Sequence, residues 1–246
     1  MGAAAMGTRQ DAGRFESQAF TVAGIEVVAD RSGTLYLPSE RMLLVADLHL
    51  EKGSAFARRG VMLPPYDTRE TLDRLAAVLA RFRPARVVAL GDSLHDRGAS
   101  ARLGQAEREA IRRLQLGRDW LWITGNHDPE VSPVLGGEVV PAIVCATLRL
   151  CHVPAEGGVA GDCSMGEIAG HLHPAARVAL GGTSVRRPCF VGDDRCLVLP
   201  AFGAFTGGLN VLDAAVSRLF ATERLDVRIL GRDGVYPVAR ASLAPD

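Results

Sequence analysis

The stretch Trp120-Leu121-Trp122-Ile123-Thr124-Gly125-Asn126-His127-Asp128 decides how the chain is read. Its first four residues form an apolar run that predicts a buried strand, and the run stops abruptly in a turn. Asn126 and His127 then stand side by side at the strand's C-terminal edge, where α/β folds place their chemistry. Gly-Asn is also ordinary turn vocabulary, so the stretch gains its meaning only from partners elsewhere in the chain.

Two similar strands lie upstream. Val87-Val88-Ala89-Leu90 ends in Gly91-Asp92-Ser93-Leu94-His95-Asp96, and Met42-Leu43-Leu44-Val45-Ala46 ends in Asp47-Leu48-His49. Strand alternation predicts that Asp47 and His49 face the same way. Between the strands lie two amphipathic helices. The first carries Leu72, Leu75, Ala76, Leu79 and Phe82 at helical spacing, with Asp67 and Glu70 predicting a capping box and Arg83-Pro84 a stop. The second runs over residues 105–116, with Gly117 as terminator. Strand, helix, strand, helix, strand predicts parallel wiring with right-handed crossovers.

Outside this segment the chain is β-rich. Residues 20–37 predict hairpin structure, and 142–151 predict a long β-rich run ending at His152. Residues 167–169 end in Gly170-His171-Leu172-His173-Pro174, and 188–199 form a hairpin around Gly192-Asp193-Asp194. A helix is expected over 209–220, then a hairpin from 227–230 and 235–238. These elements predict an α/β protein with two sheets packed face to face and helices outside. One domain over residues 16–246 follows a flexible leader, residues 1–15.

Composition narrows the class. At 246 residues and 48% hydrophobic, the chain can bury a sizeable core. Its 28 basic and 28 acidic residues balance, which argues against a blanket polyanion-binding surface but not against a local basic groove. No apolar run approaches the roughly 18 residues of a membrane span, and the first ten residues lack the apolar core of a secretory signal. The five cysteines, Cys145, Cys151, Cys163, Cys189 and Cys196, have no Cys-x-x-Cys spacing. They read as free buried thiols in a reducing cytoplasm.

The strand ends share one chemistry. They carry Asp47 and His49, Asp92, Asn126, His152, and His171 with His173. All six histidines of the chain, His95 and His127 included, lie at such ends. A pair of divalent ions needs a carboxylate that can bridge, plus imidazole and oxygen ligands on each ion. Mixed nitrogen and oxygen donors without thiolate suit Mn²⁺ first, or Fe or Zn²⁺, better than Ca²⁺ or Mg²⁺. No Gly-x-Ser-x-Gly elbow and no Gly-x-x-x-x-Gly-Lys loop is present, so serine-hydrolase and NTPase chemistry have no support.

In order and spacing, Asp-x-His, Gly-Asp-x-x-His, Gly-Asn-His-Asp, a lone His and Gly-His-x-His resemble the calcineurin-like metallophosphoesterase superfamily, from Asp47 to Pro174. Further segments resemble its bacterial ligase-associated DNA-damage-response endonucleases. They are Ala46-Asp47-Leu48-His49-Leu50-Glu51-Lys52, Arg187-Pro188-Cys189-Phe190 and Leu199-Pro200-Ala201-Phe202-Gly203-Ala204-Phe205-Thr206-Gly207-Gly208. The resemblance implies a four-layer α/β/β/α sandwich of two mixed sheets flanked by helices. It implies that Asp47, His49, Asp92 and His173 hold one ion, and Asp92, Asn126, His152 and His171 the other. His127 would face the scissile phosphate as acid or transition-state stabiliser. His95 would be a second phosphate-facing histidine, with Asp96 or Asp128 as orienting carboxylates.

The expected reaction is in-line attack on phosphorus by a hydroxide bridging the ions, without a covalent enzyme intermediate. Lys52, Arg58, Arg59 and Arg97 follow the metal motifs and could rim the cleft, and the glycine-rich 202–208 stretch could lie near the site. The leading expectation is a Mn²⁺-type phosphodiesterase cutting DNA in repair, in association with a ligase and a helicase. The alternatives are a phosphodiesterase or phosphatase for small nucleotides or phosphoproteins and, more remotely, a non-catalytic scaffold on the same fold.

Overall fold

A computed structural model describes residues 16–131, 133–155, 165–220 and 222–246. The expected leader, residues 1–15, and Cys163 lie outside the described residues. The first sheet runs in chain order through β1 (Ser17–Val22), β2 (Ile25–Asp30), β3 (Leu35–Leu37), β4 (Met42–Val45), β5 (Arg86–Leu90), β6 (Asp119–Ile123) and β7 (Glu138–Val140). β1 to β4 pair antiparallel, and β4 to β7 pair parallel. Every residue of β4 is buried, as a strand covered on both faces requires.

Four helices connect the parallel strands: α1 (Lys52–Ala57), α2 (Asp67–Phe82), α3 (Ala99–Arg102) and α4 (Gln105–Gln115). α2 buries Leu72, Leu75, Val78 and Leu79, and α4 buries Ile111, in a core shared with Leu43, Val45, Val87, Ala89 and Trp122. Burying each such side chain stabilises the fold by about 1.5–3 kcal/mol. Asp67 does not cap its helix. The position before α2 is Tyr66, with no side-chain cap bond, and Asp67 Oδ2 instead accepts the Gly53 amide of α1 at 3.0 Å.

The second sheet holds β8 (Ala142–Cys145), β9 (Leu148–Cys151), β10 (Gly166–Ala169), β11 (Pro174–Leu180), β12 (Thr183–Gly192), β13 (Cys196–Val198) and β14 (Leu209–Asn210). The run over 142–151 is thus two strands, folded back at Ala146 in left-handed backbone. Leu44, Val88, Leu90 and Ile123 of the first sheet pack against Leu148, Leu150, Ile168, Phe190 and Leu197 of the second. On the outer face, Val191, Val198, Val216 and Phe220 form a third cluster beneath α5 (Ala214–Ser217). β15 (Asp226–Leu230), β16 (Val235–Pro237) and β17 (Leu243–Ala244) extend this sheet. The expected four layers are present, with the fourth thin.

The expected helix over 209–220 shrinks to four residues. Asn210 Oδ1 accepts the Leu212 amide at 3.0 Å and Asp213 Oδ2 accepts the Asn210 amide at 3.1 Å, local bonds that compete with helix formation. Among the described residues no helix is long and apolar enough to cross a membrane.

Cys151, Cys189 and Cys196 are buried and free. Burial pushes the Cys151 thiol up to about 12 and raises Cys189 and Cys196 as well, so little reactive thiolate forms. In the native protein these three are expected to resist iodoacetamide at mildly alkaline pH and to react fully in denaturant, as read by peptide mass mapping. Rapid native labelling of any of them would contradict this burial.

Candidate metal centre

The three parallel strands β4, β5 and β6 end together, and the loops they release are stitched by backbone bonds. Asp47 N–H donates to Gly91 O, His49 N–H to Asp92 O at 2.9 Å, and His95 N–H to Leu50 O at 2.9 Å. The second sheet joins through the glycine-rich segment: Phe202 N–H donates to Ala46 O and Gly203 N–H to Asp47 O at 3.0 Å. That segment therefore lies against the first motif, as its sequence allowed. Gly170 N–H donates to His152 O at 3.1 Å, bringing the last two histidine motifs together.

Among the described residues two mixed carboxylate–imidazole clusters result, beside a third group of ligand-type atoms from His49, His95 and His127. Asp47, His49 and His173 place ligand-type atoms within 4.8 Å of one another, and so do Asp92, His152 and His171. Asp47 Oδ1 is 3.3 Å from His173 Nε2, and its carboxylate accepts the His171 amide at 3.0 and 3.2 Å. Asp92 Oδ2 is 3.3 Å from His152 Nε2, while its Oδ1 accepts the His127 amide at 2.8 Å. His152 Nδ1–H donates to Leu90 O at 2.9 Å, which turns Nε2 toward Asp92. Asn126 is exposed at the end of β6, one residue before His127.

These residues fit divalent cations. His49 Nε2 lies 3.2 Å from His173 Nε2, and His49 Nδ1 is buried with no partner. Burial, with His173 beside it, drives the His49 imidazole well below its ordinary value, which favours the neutral form that a cation can bind. Burial alone would raise the Asp92 carboxyl, but hydrogen bonds from His152 and the His127 amide outweigh it and hold it below the usual range. Burial would lower His152, yet the bond to Asp92 and the charge of Asp47 raise it. Desolvated imidazole lone pairs converging with ionised carboxylates form a ligand set that a cation completes.

The route to this geometry differs from strand alternation. β4 stops at Val45, and Asp47 (φ 54°) and His49 (φ 43°) sit in left-handed backbone beyond it. Asp92 (φ 44°), His171 (φ 74°) and His173 (φ 47°) do the same. Such conformations cost an L-residue free energy and cluster at functional sites. Gly125 serves the site by having no side chain, because a Cβ there would lie 2.2 Å from both the amide nitrogen and Oδ1 of Asp92. Gly125→Ala is therefore expected to lower the melting temperature, by about 1–3 kcal/mol of stability, and to abolish hydrolysis; a native-like melt with full activity would sink this account.

His95 and His127 stand beside the clusters. Their rings stack at 5.5 Å with 25° between planes, and His127 meets His49 edge-on at 5.2 Å. His127 Nδ1–H donates to His95 O at 2.7 Å, so the ring is held by a carbonyl. Asp96 and Asp128, the carboxylates expected to orient His95, have other partners, and His95 Nδ1 is buried without one. Asp96 is taken by Arg102, whose Nη1 and Nη2 donate to its two oxygens at 2.9 Å each. Asp128 accepts the Leu94 amide at 3.0 Å and the Gly125 amide at 3.1 Å, and burial with the nearby Asp92 charge raises its pKa to about 6.

Burial, reinforced by Lys52 and His127, lowers His95 to about 4. Lys52 lies 5.9 Å from the Phe56 ring centre, and that ring is 5.7 Å from His95. Arg58, Arg59 and Arg97 are exposed. Arg102 escaped the sequence reading. Its Nε also donates to Ser54 Oγ at 2.8 Å, tying α1 to the His95 loop, and no spacing in the sequence signals that cross-link.

A family model described as calcineurin-like phosphoesterase matches residues 40–158. Among solved structures, the Pseudomonas putida nuclease MPE is 31% identical, with a TM-score of 0.70 over 90% of this chain and 100% of that one. Yfce, a phosphoesterase from E. coli, is 16% identical with a TM-score of 0.42, over 80% of this chain and 98% of that one. No curated protein matches the chain.

Proposed function

The chain belongs to the calcineurin-like phosphoesterase family and is a metal-dependent phosphoesterase, and from that premise we propose that it is a DNA endonuclease. The observation that carries this reading is the likeness to a nuclease over that protein's whole length, together with two donor clusters beside a stacked histidine pair. Asp47, His49, Asp92 and His173 would hold one ion, and Asp92, Asn126, His152 and His171 the other. When bound, divalent ions lower the pKa of water and neutralise charge on phosphoryl oxygens. Mn²⁺, Fe and Zn²⁺ all accept such a mixed imidazole and carboxylate set, and Mn²⁺ is the ion we propose.

The chain's own residues supply the proton. His127 Nδ1–H is committed to His95 O, so Nε2 would face the leaving oxygen, and the imidazolium form would deliver its Nε2 proton there and keep the one on Nδ1. His95, held at about 4 by burial and Lys52, is uncharged at neutral pH and supports the phosphate by hydrogen bonding rather than as an acid. Lys52, Arg58, Arg59 and Arg97 would meet the substrate's phosphates. The resemblance of these motifs to ligase-associated endonucleases supports a role in cytoplasmic DNA repair, alongside a ligase and a helicase.

Balanced net charge favours the alternative, a phosphodiesterase for small nucleotides. Purified protein with Mn²⁺ is to be incubated with circular single-stranded DNA and with p-nitrophenyl phosphate esters. Linearised circles support the nuclease; hydrolysis of monoesters or small nucleotides alone overturns it.

A further inference from the structure

Val61, Met62 and Tyr66 have no role in the metal centre, yet they stand in water on the loop that follows Phe56, whose ring lies 5.7 Å from His95. Met62 is 82% exposed, Tyr66 57% and Val61 49%. They belong to the connection Arg58-Arg59-Gly60-Val61-Met62-Leu63-Pro64-Pro65-Tyr66 between α1 and α2. Exposed apolar side chains gathered on one loop mark a contact surface more often than single ones do.

The loop is held in place at both ends. Arg59 N–H and Val61 N–H both donate to Phe56 O, at 2.9 and 3.0 Å. Phe56 in turn lies against His95, which stacks on His127. At the far end, Asp67 takes the Gly53 amide and Thr68 Oγ1 takes the Glu51 amide at 2.8 Å. Pro64 and Pro65 restrict the backbone between. The apolar tip is therefore positioned relative to the candidate acid.

Its charge is one-sided. No Asp or Glu occurs between Glu51 and Asp67, while Lys52, Arg58 and Arg59 do. The loop's base is joined to the histidine pair through Phe56, which accepts the Arg59 and Val61 amides and lies 5.7 Å from His95. An apolar tip on a cationic base matches a nucleic-acid strand, whose bases stack on or are wedged by apolar side chains while phosphates meet arginine. It does not match a small phosphoester, which has no surface reaching that far.

We propose that this loop is a base-contacting element, in which Val61 and Met62 pack on nucleobases next to the scissile phosphate and Arg58 and Arg59 hold the flanking phosphates. The proposal rests on the nuclease reading and adds to it a determinant that separates DNA from small esters.

The test is a Val61→Ser, Met62→Ser double variant of the full chain loaded with Mn²⁺. Its hydrolysis of bis(p-nitrophenyl) phosphate is expected to match the native chain, which also verifies folding. Its kcat/KM on an oligodeoxynucleotide is expected to fall about tenfold, in line with losing apolar side-chain burial against a base. On the same oligonucleotide with abasic sites flanking the cleaved linkage, native and variant chains are expected to cut equally slowly. Unchanged cleavage of the ordinary oligonucleotide overturns the proposal, as does an equal loss on ordinary and abasic strands. If the native chain hydrolyses the ester but leaves every oligonucleotide intact, the nuclease reading itself falls.

Discussion

An Asp92→Ala protein is expected to hydrolyse bis(p-nitrophenyl) phosphate at least about a thousandfold more slowly than the native chain, a loss of several kcal/mol of transition-state stabilisation. It should also retain less divalent metal after desalting. Asp92 has two tasks, since Oδ2 faces His152 Nε2 at 3.3 Å while Oδ1 receives the His127 amide at 2.8 Å. Alanine removes both. Asp92→Asn keeps an oxygen for the amide but no charge for the cation, so it separates them. The asparagine variant should melt close to the native temperature and still lose metal and activity. Metal analysis by mass spectrometry, with ester hydrolysis, reads both. Near-native activity in either variant would remove Asp92 from the centre.

His127→Gln is expected to behave differently, with kcat down about 10²- to 10⁴-fold and metal content unchanged. If Nε2 protonates the leaving oxygen, the loss must depend on how badly that oxygen needs a proton. It should be small for a p-nitrophenolate and large for a DNA 3′ or 5′ alkoxide. An equal loss on both leaving groups would replace the acid role with plain electrostatic support. His95→Gln should cost less and leave the rate profile unaltered between about pH 6 and 8, where unperturbed histidines titrate, because His95 is already neutral there.

Much of this was legible in the sequence because the site uses rare residue types at strand ends. Asp47, His49, Asp92, His152, His171 and His173 could be picked out, and the parallel strands β4, β5 and β6 could be placed within a residue or two. Where the reading erred, tertiary contacts had overruled local pattern. α1 contains a glycine and a serine and has no amphipathic period; it is held by Asp67 on Gly53 and by Arg102 and Glu51 on Ser54. Asp67 looked like a cap because spacing alone cannot show that its carboxylate faces another helix. Asp96 looked free to orient a histidine because Arg102, six residues on, carries no signal that it will turn back. The left-handed backbone at Asp47 and His49 was invisible for a similar reason: nothing about Asp or His announces positive φ.

That backbone bears on the question of whether a chain of this kind could survive as a scaffold with its chemistry lost. Five of the residues at the centre occupy left-handed conformations, each disfavoured for an L side chain by about 1–2 kcal/mol, somewhat less for Asp and His. Their sum approaches the net stability of an ordinary domain, about 5–15 kcal/mol. Glycine would relieve the burden at every one of these positions, so mutation and drift in an inactive descendant would settle there readily. Aspartate and histidine at all five therefore carry a backbone cost that the fold by itself does not require.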